Sequence, residues 1–281
     1  MRAESYRLFI LAVINGSCAA GPTAANLLDS LFPSGVTTAP CGEGATPELY
    51  GDEEAFRKTG DHLYRACGLS SEVAPCTVIS IGSRNEWDFE EEVVRRTPCR
   101  VETFDCTLHP STKPPAALRE RVRFHHACVG GRADTQIAPR VTHLCSGTCH
   151  YLSWASLLHR ANVSGAPAFL KMDVEGFEWR VLPEILKPST CALLPRQIAL
   201  ELHNTMPPPD AAGRRVLPRE FLALQTSNVS ALGTRLRDNG YVLATRDENT
   251  KRNGHVLLLL VQSSRSLNRG TRHSCEGAVE T

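Results

Sequence analysis

The chain has 281 residues, 42% of them hydrophobic, with a formal net charge of +1. That length allows one large core, or one domain with extensions. Its charges are interspersed, which excludes a global basic field for nucleic acid or for an acidic membrane surface.

The chain begins MRAESYR, LFILAVI, NGSCAAG: a basic start, a short apolar core and a small-residue stretch. This is the pattern of a signal peptide, and residues 1–20 are read as one. The alternative is an irregular or buried N-terminal segment. The apolar core is too short to cross a bilayer, which takes about 20 residues. No other stretch is long and apolar enough, so no membrane span is expected. Residues 21–52, rich in Gly, Pro, Ala and Thr, read as a linker. Residues 53–67, EEAFRKTGDHLYRAC, read as a short amphipathic lead-in helix despite Gly60.

An alternation then begins. The predicted strands are 76–81, 100–105, 122–128, 168–172, 196–202, 240–245 and 255–261. Helices are predicted over 86–96, 151–161, 176–187 and 219–239. Strands with interposed helices make a doubly wound α/β sheet. The 246–254 connection is too short for a helical crossover, so the last two strands pair antiparallel. Residues 129–150 show no clear element and read as a surface excursion; 206–218, Pro- and Arg-rich, read as another.

Eleven cysteines are present; losing Cys18 with the signal leaves ten. That density is rare in a reducing cytosol and common in the secretory path. Two sequons, Asn162-Val-Ser and Asn228-Val-Ser, fit the same compartment. The expected location is therefore the secretory lumen or the cell exterior. Disulfides are the first reading of the cysteines. Cys145-Ser-Gly-Thr-Cys149-His150, with His125, His126 and His143 near in sequence, also has zinc-like spacing, and some thiols could stay unpaired. No metal is assigned.

In open α/β sheets ligands bind outside the carboxyl ends of the strands. The first strand of the alternation ends Ile81-Gly82-Ser83-Arg84-Asn85-Glu86. A dinucleotide fold wants G-x-G-x-x-G, but Arg84 and Trp87 stand at the second and third glycine positions. A pyrophosphate would meet side chains there. S-adenosylmethionine carries no phosphate and fits one glycine better, although any buried strand can end in a turn glycine. Asp105 ends the second strand, 23 residues after Gly82, where a carboxylate can accept ribose hydroxyls; the alternative is an exposed strand-end Asp. Asp173 and Glu175 flank a helix start, as pocket residues, as helix-dipole partners, or as both. Glu201 and His203 share one side of the fifth strand. His203 is a candidate general base, with a structural histidine as the alternative.

These residues match a known pattern. SIGSRNEWDFEEEVV (80–94), CRVETFDCT (99–107), FLKMDVEGFEWRVLPEIL (169–186), QIALELHN (197–204) and LRDNGYVLATRDEN (236–249) resemble class I S-adenosylmethionine-dependent methyltransferases, and most closely the FkbM-related group. The resemblance covers about residues 60–262, placing the domain at 53–262 and a tail at 263–281. It implies a Rossmann-like, mostly parallel seven-stranded sheet with an antiparallel last strand and helices on both faces. It implies S-adenosyl-L-methionine held by Gly82, Ser83, Glu86, Asp105 and Asp173, with Asp173 also bordering the methyl-transfer site as a catalytic candidate. Glu175 and His203 are carried over as further catalytic candidates. Many such enzymes place an acid two residues before the glycine; Ser80 stands there, with Glu86 or Asp88 as replacements.

The expected activity is O-methylation of a sugar or another small hydroxyl acceptor, with His203 or Asp173 taking the proton. The expected partner is that small-molecule or glycan acceptor, with no nucleic acid; the oligomeric state is left open. A rival reading is a non-catalytic module that keeps the fold. A nicotinamide oxidoreductase is disfavoured by the glycine pattern.

Overall fold

The computed structural model describes residues 31–32, 41, 45–59, 63–129, 135–137, 149–174, 176–203, 226–248 and 255–263. The signal-peptide reading, Glu175 and all of the expected tail but Ser263 lie outside these residues. So does the cysteine–histidine cluster at 145–150 as far as its side chains go.

The centre is a seven-stranded sheet. Its strands are β3 (Thr77–Ile81), β4 (Arg100–Phe104), β5 (Val122–His125), β9 (Phe169–Met172), β10 (Gln197–His203), β11 (Tyr241–Glu248) and β12 (His255–Gln262). They lie in the order β11-β12-β10-β9-β3-β4-β5. Only β12 runs against its neighbours, β10 and β11. This is the expected Rossmann-like arrangement, and the short link before β12 forces its reversal.

Burial on both faces explains why β9 and β10 are buried from end to end. One face packs Ile79, Ile81, Leu170, Met172, Ile198 and Leu200 against three helices: α3 (Trp154–Arg160), α4 (Glu178–Ile185) and α5 (Thr226–Asp238). The alternating residues Val78, Phe169 and Ala199 face α2 (Asp88–Arg96). That second face is also covered by a ribbon of β1 (Glu48–Gly51) and β2 (Leu63–Ala66), antiparallel, with α1 (Glu53–Thr59) between them.

This ribbon corrects two sequence expectations. The helix expected over 53–67 stops at Thr59, and Leu63–Ala66 is a strand. Its partner β1 lies in the stretch read as a linker. Gly60 is a poor helix residue. Tertiary packing then decides the rest: Leu63, Tyr64 and Ala66 are buried, and the Gln197 side chain bonds both backbone groups of Cys67 at 2.7 Å. Leu31 and Phe32, from the same expected linker, are also core residues. Gly233 on α5 is required by that contact, because a Cβ there would lie 2.0 Å from the Leu31 carbonyl oxygen.

The 129–150 stretch is not featureless either. β6 (Cys128–Val129), β7 (Thr135–Ile137) and β8 (Cys149–Leu152) form a small sheet of order β6-β8-β7. The helix expected from 151 therefore begins at Trp154, where the Ser153 hydroxyl caps it by accepting from the Ser156 amide at 3.1 Å.

Cys41–Cys67, Cys76–Cys99 and Cys106–Cys128 are disulfide pairs, and Cys191 is disulfide-bonded as well. Among the described residues no helix is long and apolar enough to cross a membrane.

Peptide mapping of the unreduced protein is expected to return those three pairs. Replacing Cys76 and Cys99, 23 residues apart, by alanine should cost about 3 kcal/mol of unfolding free energy. Different partners for these six cysteines, or an unchanged denaturation midpoint, would contradict this framework.

Candidate active site

Strand register builds the site. Ile81 is level with Phe104 on one side and Met172 on the other. Gly82, Asp105 and Asp173 are therefore each the first residue beyond three adjacent parallel strands. Leu200 is level with Met172, which carries Glu201 and His203 to the same edge.

Gly82 sits at φ 82°, and a Cβ there would lie 1.7 Å from the Asp173 carbonyl oxygen. Two strand-end loops cross at that point, and only glycine lets them touch. The loop continues through Arg84 (φ 52°) and Asn85 (φ 63°), an unfavourable pair of left-handed residues. Asp105 holds it: Oδ2 accepts from the Ser83 and Arg84 amides at 3.0 and 2.8 Å. Oδ1 accepts from the Thr107 amide and hydroxyl at 2.8 and 2.6 Å. A carboxylate has about four acceptor positions. Those of Asp105 are met from within the protein.

Above these ends lies a cavity of about 360 Å³. Gly82, Ser83, Glu86, Asp105, Asp173 and His203 all line it, so the structure brings the six described site candidates together. Glu175 lies outside the described residues. Cys106, Cys128, Tyr151 and Phe177 make a less polar wall.

Several pocket residues were missed by sequence reasoning. Tyr64, from the ribbon, donates its hydroxyl to Asp173 Oδ2 at 3.2 Å. Burial first, then the charges of Asp173 and Glu201, push its pKa well up, so it stays a donor. It left no signal, because its strand reads as helix. Lys171 is buried, bonds the Gly82 carbonyl, and lies 5.1 Å from the Tyr64 ring centre. A lone lysine in the apolar run FLKM was its signal. Glu90 is buried beneath the loop and accepts from the Thr103 hydroxyl at 3.1 Å. Burial raises its pKa, with the Lys171 charge opposing. Glu86 and Asp88, the replacements expected for the acid missing at Ser80, are exposed at the cavity.

Glu178 was also missed, although it ends the quoted DVEGFE run. Fully buried, its Oε1 accepts from the Val174 and Gly176 amides at 2.9 and 3.3 Å. The same oxygen lies 3.1 Å from His203 Nδ1. Burial alone would lower the His203 pKa. The Glu178 hydrogen bond and charge, then Asp173 and Glu201, override burial and push it up to about 10. The surrounding carboxylates thus favour the charged form of the ring. Asp173 is half-buried and faces the cavity.

Comparison with known proteins identifies a family. Residues 46–259 match a family model described as a methyltransferase domain. No curated protein matches the chain. Solved structures that resemble it include the fibrillarin pre-rRNA processing protein of Methanococcus jannaschii: 10% identity, 79% of this chain and 86% of that one, TM-score 0.38. Another is a 1,6-didemethyltoxoflavin N1-methyltransferase of Burkholderia thailandensis, solved with S-adenosylhomocysteine: 15% identity, 68% and 72% coverage, TM-score 0.35. A third is the Lactobacillus delbrueckii ribosomal protein L11 methylase: 9% identity, 76% and 81% coverage, TM-score 0.37. At these scores the neighbours carry no functional weight; the family match does.

Asp105→Ala should strand the Ser83 and Arg84 amides and lower the unfolding free energy by about 1–3 kcal/mol. Denaturant titration under oxidising conditions checks this; an unchanged midpoint would remove Asp105 from its place as the loop's anchor.

Proposed function

Because the chain belongs to the methyltransferase domain family, which it matches over residues 46–259, we propose that it is an S-adenosylmethionine-dependent enzyme acting on a small hydroxyl acceptor. A sugar is the acceptor class proposed, and the secretory lumen or cell exterior the place. The FkbM-related grouping is proposed on the quoted motifs alone.

One observation carries the cofactor choice. The cavity at the strand ends is lined by more carboxylates than cations: Glu86, Asp88, Asp105, Asp173 and Glu201 against Arg84, Lys171 and His203. A pyrophosphate would be repelled there, whereas a sulfonium cation is favoured. The residues present fit S-adenosylmethionine, which when bound supplies an activated methyl group. The 82–86 loop, shaped by Asp105, offers its backbone, and Thr107 and Glu86 offer polar side chains to the nucleoside.

The chain's own work is alignment, charge placement and exclusion of water. Tyr64 holds the Asp173 carboxylate by its hydroxyl. Asp173 is proposed to take up the acceptor proton. Phe177, Tyr151 and the Cys106–Cys128 bridge would shield the acceptor from solvent. The three disulfide pairs are compatible with the oxidising compartment. Asn162, exposed in the turn after α3, is the sequon proposed to carry a glycan.

Calorimetry of the oxidised protein should show saturable binding of S-adenosylmethionine and none of NADH. With an acceptor in hand, Asp173→Asn should lower turnover about a hundredfold or more. Binding without turnover on any hydroxyl compound would favour a non-catalytic module. No binding by folded protein would sink the proposal.

A further inference from the structure

Three chemistry-bearing side chains from three elements meet at the edge of the cavity. Asp173 follows β9, Glu178 opens α4 and His203 closes β10. Each offers one ligand atom, and the three atoms lie within 4.8 Å of one another. Glu201 adds another carboxylate, 3.9 Å from His203 Nε2. Glu178 is fully buried and His203 is 4% exposed. Carboxylates crowded in this way out of water need opposing positive charge.

A second observation is independent of that grouping. Glu178 Oε1 is occupied by two backbone amides and the imidazole, but its Oε2 is buried with no hydrogen-bond partner among the described residues. Leaving a buried acceptor unsatisfied is costly, and native structures rarely do so without a ligand or water at hand.

We propose that Asp173, Glu178 and His203 form a divalent-cation site beside the acceptor end of the cavity. Two carboxylates and one imidazole suit a small ion such as Mn²⁺, Mg²⁺ or Zn²⁺. Asp173 is 28% exposed and lines the cavity, so the ion has an open side there. An oxygen of the acceptor completes its coordination, which favours acceptors whose hydroxyl can bind a metal. The inference rests on the methyltransferase reading for that last step, though not for the ion site itself.

Mn²⁺ is the probe. Full-length oxidised protein, stripped with EDTA, is titrated with Mn²⁺ and followed by the loss of free-ion electron paramagnetic resonance signal. One ion per chain is expected, with binding weakened at least tenfold in Asp173→Asn. Glu178→Gln should behave likewise; circular dichroism screens it for folding, because Glu178 also holds the 174–176 backbone. Asp173, being half-buried, supplies the variant that does not depend on that check. No saturable Mn²⁺ binding by folded wild-type protein, or binding unchanged in Asp173→Asn, overturns the site. S-adenosylhomocysteine affinity, measured on the same samples without metal, separates the two proposals: its loss with Mn²⁺ binding intact counts against the cofactor reading alone.

Discussion

The contact of two loops at Gly82 is the constraint on which the rest of the site depends. The backbone of residue 82 passes so close to the Asp173 carbonyl that no side chain fits between them. Parallel register brings the two loops to the same level. The Asp105 carboxylate then holds the next two amides and keeps the loop in its left-handed course. The cavity and the carboxylates that line it lie at this junction of three strand ends.

Around it the protein keeps charge where sheets are normally apolar. Lys171, Glu90, Glu178, Glu201 and His203 are all buried. Such groups are tolerated when each is opposed by another charge or bonded by the backbone. Lys171 meets the Gly82 carbonyl and the Glu90 charge; Glu178 meets two amides and the imidazole. Ions held this way cannot relax freely, so they give a fixed field at the point where a charged cofactor would react. Stability is given up locally to obtain it, and the extensive apolar core on both faces offsets that cost.

The ribbon of β1 and β2 shows how the accessory segment belongs to the site. It packs on the face that bears α2 and sends Tyr64 to Asp173. Cys67, next to its last strand residue, is tied to Cys41 and bonded to Gln197 on β10. The ribbon therefore places a donor in the cavity that the central sheet itself does not supply.

Much of the fold was legible in the residues. Seven strands fell at their observed places because alternation and turn chemistry are set by neighbours in the chain. The reversed last strand followed from a connection too short to cross over. Gly82, Asp105, Asp173 and His203 could be picked out because strand ends are visible in one dimension. The sequence did not reveal what each residue does there. Gly82 is needed for a crossing backbone, Asp105 for two amides, and His203 sits among acids from its own strand and from two other segments. Tyr64 and Glu178 went unnoticed for the same reason. Periodicity is a local property and the sequence alone determined it. Protonation, burial and hydrogen-bond partners arise between segments distant in the chain, so only the tertiary structure decided them.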